Sequence, residues 1–271
     1  MKTLYAIFIG LFVCTASAES PLPWLGHQAA VSLTYDDSVD QHLDVAVPAL
    51  DKYGFLGTFY ITGYFDGFRN RLGDWRAVVK TGHELGNHTI FHPCEGGRVG
   101  REWVSADRDL TNWSNQRIAE NVAFLNTALE AVDGKKERTF AYPCGDMTAE
   151  GKTYLDKSKP TFVGARAVGG SPPKVHEVNL MGIHSQMISG NSAESMIAMV
   201  DEAIKNKTWL VFLFHGVGGG HGLDVGAKEH QALLEHLNKK KQQVWVAPVV
   251  DVARFVKNQQ NAARKEPISS D

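Results

Sequence analysis

The sequence predicts an α/β fold in which parallel strands alternate with helices and curl toward a barrel. Three observations carry this reading. Short runs recur in which almost every residue is apolar, as strands covered on both faces require. Amphipathic segments of helical period separate them. About seven such units follow one another, which favours a barrel over an open sheet.

Taken in order, the chain opens with MKTLYAIFIGLFVCTASAES. Lys2, the apolar stretch Leu4 to Val13 and the triplet Ala16-Ser17-Ala18 read as a signal peptide cleaved after Ala18. The apolar stretch is too short to span a bilayer. Residues 19–271 are then expected to form a single domain in a secreted or periplasmic protein, with no stable membrane insertion after cleavage. The runs AAVSLTY (29–35), GTFYIT (57–62), TFAYP (139–143), TFVGAR (161–166), WLVFLFH (209–215) and VWVAP (244–248) read as buried strands, and HELGNH (83–88) as a weaker one. Ile118, Val122, Leu125, Leu129 and Val132 fall on one helix face. The segments 192–206 and 227–241 repeat that pattern, and Glu150 to Lys157 reads as a shorter helix. Pro93 to Trp113, rich in Gly, Arg and Asp, breaks the rhythm and reads as an insertion near the third strand.

Composition excludes some classes of function. The formal net charge of −2 leaves no basic footprint for nucleic acid. The one basic run, Lys239-Lys240-Lys241, lies on a helical stretch and reads as a solvated face. Cys94 and Cys144 remain after cleavage, and an even pair in an oxidising compartment is expected to form a disulfide.

In a parallel barrel the chemistry gathers where the strands end. The polar residues there are Asp36 and Asp37, His88 and His92, the stretch Tyr142 to Gly145, Arg166 and His215. Two adjacent acids at a strand end are as often a helix cap. His88 and His92, at i and i+4, share a ligand face if the segment turns helically. Asp37 with His88 and His92 makes two imidazoles and one carboxylate, a common zinc set that leaves a position open. His215 precedes GVGGGHG, a loop with little side-chain bulk. His221 in that loop is read as exposed and without a role.

Together TYDDS (34–38), HTIFH (88–92), AYPCG (141–145) and LFH (213–215) resemble the ordered motifs of the polysaccharide deacetylases, the NodB-homology group or carbohydrate esterase family 4. The resemblance implies a distorted (β/α) barrel and a divalent metal, usually zinc. It implies an acetylated carbohydrate as substrate. It assigns the metal to Asp37, His88 and His92, the general base to Asp36, the general acid to His215 and an oxyanion-binding backbone N–H to Cys144.

The sequence departs from that family in two places. Ala141 stands where an arginine normally orients the base, and the motif with an Asp before a Trp is missing around FVGARAVGG. Arg166, at a neighbouring strand end, is the candidate replacement, with its guanidinium fork paired bidentately to Asp36. Asp251 is a candidate to orient His215. The sequence therefore reads as a metal-dependent deacetylase, N- or O-linked. A non-catalytic carbohydrate-binding relative and a hydrolase of small amides are the alternatives. A glycosidase built on Asp36 and Asp37 fits poorly, because its two acids must flank a sugar bond about 5 Å or more apart.

Overall fold

The apolar run from Ala29 forms β1 (Ala29–Asp36), and every residue in it is buried. The computed structural model describes residues 23–155 and 162–264. The proposed signal peptide lies outside the described residues. After β1, a π-helical turn (His42–Ala46) leads into α1 (Val47–Asp51), which carries Pro48 in its first turn, where the amide needs no partner. Next come β2 (Thr58–Ile61), α2 (Asp66–Arg69), α3 (Leu72–Lys80) and β3 (Glu84–Asn87). α4 (Asn115–Asp133) begins where the Ser114 hydroxyl accepts from the Arg117 amide and ends at Gly134, φ 69°. Its buried face carries Ile118, Val122, Leu125 and Leu129, as the periodicity predicts.

β4 (Arg138–Ala141) precedes a small hairpin, β5 (Thr148–Ala149) with β6 (Lys152–Thr153). This hairpin replaces the helix expected from Glu150 to Lys157. Glu150 and Gly151 both have positive φ and form its turn, which a helix cannot accommodate. Lys157 lies outside the described residues. The chain continues through β7 (Phe162–Arg166), β8 (Gln186–Met187), α5 (Ala193–Asn206), β9 (Trp209–Phe214), β10 (Gly216–Val217) and β11 (Asp224–Val225). It closes with α6 (Ala227–Lys239), β12 (Val244–Val246) and α7 (Val249–Ala263).

The main sheet runs β7-β4-β3-β2-β1-β9-β8, with parallel pairing throughout. These seven strands curl into a distorted (β/α) half-barrel. β12 pairs with Ala29–Val31 of β1, whereas β2 pairs with Thr34–Asp36, so two strands share one edge of β1 at different heights. Between β7 and β8 an irregular segment bridges the gap. The Ala165 amide donates to Leu180 O, and the Ile183 amide donates to Ala165 O. Apolar side chains of α1, α3, α5 and α6 cover one part of the outer surface, and α7 covers another with Val249, Val252, Ala253 and Val256. Among the described residues no helix is long and apolar enough to cross a membrane.

Candidate active site

Asp36 is the last residue of β1, and the chain turns sharply beyond it. Asp37 and Ser38 have φ of 79° and 53°, a region that costs non-glycine residues about 1–3 kcal/mol. The turn is held against β2: the Asp37 amide donates to Tyr60 O, and the Thr62 amide donates to the Ser38 hydroxyl. Both carboxylates consequently face His88, whose Nε2 lies 3.7 Å from Asp36 Oδ2 and 3.7 Å from Asp37 Oδ1.

His88 and His92 do converge, but not on a helix. Thr89 and His92 take φ of 67° and 52°. The loop is shaped by side chains: Asn87 Oδ1 accepts from the Thr89 amide, Thr89 Oγ1 from the His92 amide, and Asn121 Oδ1 of α4 from the Ile90 amide. His92 Nε2 is 3.5 Å from Asp37 Oδ1, and the ligand atoms of Asp37, His88 and His92 all lie within 4.8 Å of one another.

The protonation of this trio suits a divalent cation. His88 Nδ1 donates to the Ala141 carbonyl at 2.8 Å, so its Nε2 lone pair faces the pocket. Burial pushes His88 down to about 4 despite the pull of Asp36, which leaves it neutral near pH 7. Burial alone would raise the Asp37 carboxyl. The combined attraction of His92, His88, His215 and His221 outweighs it and holds Asp37 well below the usual carboxylate range. Two imidazole nitrogens and one carboxylate, in reach of a common centre, fit a catalytic zinc-type donor set.

Arg166 ends β7, fully buried beside β4, and its Nη2 donates to Asp36 Oδ2. The pairing is not bidentate. Nη1 turns instead to the Ser185 hydroxyl at 3.3 Å and the Ala167 carbonyl at 3.4 Å. The guanidinium, arriving from β7 across the curled sheet, meets the carboxylate with one nitrogen. Asp36 Oδ1 is buried without a hydrogen-bond partner among the described residues.

His215 follows β9, with Nε2 3.9 Å from Asp37 Oδ2. Burial pushes its imidazole down, against Asp36 and Asp37. Its Nδ1 has no partner among the described residues. Asp251 does not orient it. Asp251 sits at the start of α7, after β12 has paired with the first residues of β1, and binds Arg254 at 3.0 Å. It therefore lies at the opposite end of the strands. His221, by contrast, is not a bystander. It is one-third exposed, stacks on His215 at 4.7 Å and brings Nε2 to 3.7 Å from Asp37 Oδ2. Five of the surrounding residues being glycine was the available signal.

Cys144 sits on a tight turn after β4 with φ of 54°. It is joined to Cys94 by a disulfide with Cα atoms 5.8 Å apart, tying the insertion to this turn. Arg101 of the insertion adds a second tie that sequence reasoning missed. It donates to Asp146 at 2.6 Å and to the Cys144 carbonyl at 2.9 Å. Trp103, also of the insertion, is 61% exposed with its ring 6.3 Å from that of His92.

A family model described as polysaccharide deacetylase matches residues 26–162, which include both acids, both loop histidines and Cys144. The chain belongs to the polysaccharide deacetylase family. Among solved structures of similar fold are a proposed polysaccharide deacetylase from Mycobacterium smegmatis (17% identity, 87% of this chain and 92% of that one, TM-score 0.59) and the peptidoglycan deacetylase PdaC from Bacillus subtilis (16%, 90% and 98%, 0.52). A pseudoenzyme of carbohydrate esterase family 4 from Bacillus anthracis is also similar (17%, 83% and 65%, 0.51). Two curated relatives are a gellan lyase from a Bacillus species and an uncharacterised Bacillus subtilis protein. The gellan lyase is 25% identical over 86% of this chain, and the other is 24% identical over 60%. This chain spans only 10% and 50% of their respective lengths.

Proposed function

We propose that this member of the family is a secreted or periplasmic hydrolase, a single domain after signal cleavage, that removes acetyl groups from a carbohydrate with the help of one divalent metal, zinc by preference. The observation that carries the reading is the convergence of Asp37, His88 and His92 on one centre, with Asp36 beside them. When bound there, such a cation supplies Lewis acidity toward an acyl oxygen and acidifies water.

The chain's own residues then divide the work. Asp36 is the base. Arg166 holds Oδ2, which leaves the unpartnered Oδ1 to receive a proton from water. Arg166 is a positioning residue, in the place of the arginine that Ala141 lacks. The Cys144 N–H, on a turn braced by the disulfide and by Arg101, is the donor to the developing oxyanion. His215 protonates the departing amine or alkoxide. Trp103 offers an exposed ring face beside His92 on which a sugar can lie.

Acetate release from chito-oligosaccharides, peptidoglycan and acetylated xylan, with and without chelator, tests the proposal. Release that chelator abolishes and zinc restores is the expected result. His88→Ala and His92→Ala should each lose stoichiometric metal. Metal bound at one per chain with no acetate from any acetylated glycan would instead favour a carbohydrate-binding relative. The rebuilt surroundings of Asp36 and the unpartnered Nδ1 of His215 make that the second reading.

A further inference from the structure

The loop after β9 is built around its histidine. Gly218, Gly219 and Gly220 all have positive φ, of 72°, 115° and 85°. A Cβ on Gly220 would stand 1.8 Å from Gln41 Oε1, and one on Gly216 would stand 2.6 Å from the Gly219 carbonyl. The short β10–β11 ladder closes the loop, and the Gly219 amide donates to Asp224 Oδ1 at 2.9 Å. This backbone delivers the His221 ring to the pocket, flat against His215 at an interplanar angle of 14°.

The ring's other nitrogen decides what it presents there. The Leu223 amide, which can only donate, lies 3.0 Å from His221 Nδ1. Nδ1 is therefore the acceptor and the ring proton sits on Nε2, the atom facing Asp37. His88 is the mirror case: its Nδ1 donates to a carbonyl and its Nε2 lone pair faces the pocket. Two imidazoles thus approach one aspartate in opposite tautomers, one suited to hold a cation and one suited to donate a hydrogen bond. Among the described residues the neighbouring His215 has nothing on Nδ1 to select its tautomer.

We propose that His221 is a second, tautomer-locked hydrogen-bond donor of the active site, whose Nε2–H binds an oxygen of the acetylated sugar at the reacting group, beside His215. The identity of that ligand rests on the deacetylase reading; the locked donor does not. Hydrogen bonding alone requires no change of protonation at the ring, so a side chain that keeps an N–H at that reach should replace it.

The test has two arms. In the metal-free full chain, nitrogen-15 NMR of the histidine rings should show His221 with Nδ1 unprotonated and Nε2 protonated. The reverse tautomer would overturn the proposal. In the zinc-loaded chain acting on chito-oligosaccharides, His221→Ala should lower kcat/KM roughly tenfold, the scale of one hydrogen bond, with metal still at one per chain. His221→Gln, whose amide N–H reaches to the same place, should recover most of that loss. Gln as poor as Ala, or loss of metal in both variants, would also overturn it, the latter by making His221 a ligand. A wild-type chain that shows the Nε2–H tautomer yet releases no acetate would sink the deacetylase reading and leave the locked donor standing.

Discussion

The two ends of the sheet each bury a carboxylate, and they treat it in opposite ways. At the N-terminal end, Glu84 of β3 is saturated. Its Oε1 accepts from the Thr139 amide and hydroxyl, and its Oε2 from the Thr58 hydroxyl and the Val250 amide at the start of α7. At the C-terminal end, among the described residues, Asp36 has one oxygen on Arg166 and one with no partner, and Asp37 accepts only a 3.3 Å contact from Thr62 while facing four imidazoles. A buried charge is costly unless its hydrogen bonds are complete. Completed bonds at Glu84 join three strands to a helix. Incomplete bonds at Asp36 and Asp37 leave acceptors available for a ligand.

Substitution of Asp36 should break this contrast most sharply. Asp36→Asn is nearly isosteric but cannot take a proton, so kcat should fall by at least about a hundredfold while metal stays bound. Retention of most of kcat would show that the unpartnered oxygen is not the base. Arg166→Ala should cost roughly tenfold to a hundredfold in kcat, as loss of an orienting partner does, and should spare metal content. Arg166→Lys should recover little even though the contact uses one nitrogen, because Ser185 and the Ala167 carbonyl fix the plane of the guanidinium. Full rescue by Lys would reduce Arg166 to a counter-charge.

At the other end the expected effect moves from rate to stability. Glu84→Gln places an amide N–H among donors and should cost about 1–3 kcal/mol in urea unfolding, with kcat of the folded protein unchanged. A large change in kcat at constant stability would dissolve the distinction between the two ends.

The effect that is smallest at neutral pH concerns two buried imidazoles outside the trio Asp37, His88 and His92. His42 and His230 are both pushed down to about 4 by burial. Each is neutral in the native state, whereas an unfolded histidine takes a proton near pH 6.5. As pH falls from about 6.5 toward 4, the unfolded chain binds protons that the native chain refuses, so stability is lost by at most about 1.4 kcal/mol per pH unit for each group. A urea midpoint that stays flat between pH 7 and 5 would contradict this.

The sequence determined most of the strand–helix order, because continuous apolar runs and helical periodicity are local properties that burial merely uses. β1, β2, β4, β7, β9 and β12 fall where apolar patterning places them, β3 within the weaker run HELGNH, and α4, α5 and α6 where periodicity places them. It also marked the strand-end polar residues, since a charged or imidazole side chain closing an apolar run stands out in one dimension. Hairpin β5–β6 was not legible, because Glu150 carries no sign that it will adopt positive φ. How side chains meet was decided only in three dimensions. Arg166 reaches Asp36 from 130 residues away because the sheet curls and brings the end of β7 across to the end of β1, and the contact made there is single instead of a fork. His221 had no apolar run to announce it. Its place beside Asp37, and the nitrogen that carries its proton, follow from a glycine backbone and one amide donor at Leu223. Tautomers and hydrogen-bond completeness depend on what surrounds an atom on every side, and a linear pattern does not specify those neighbours.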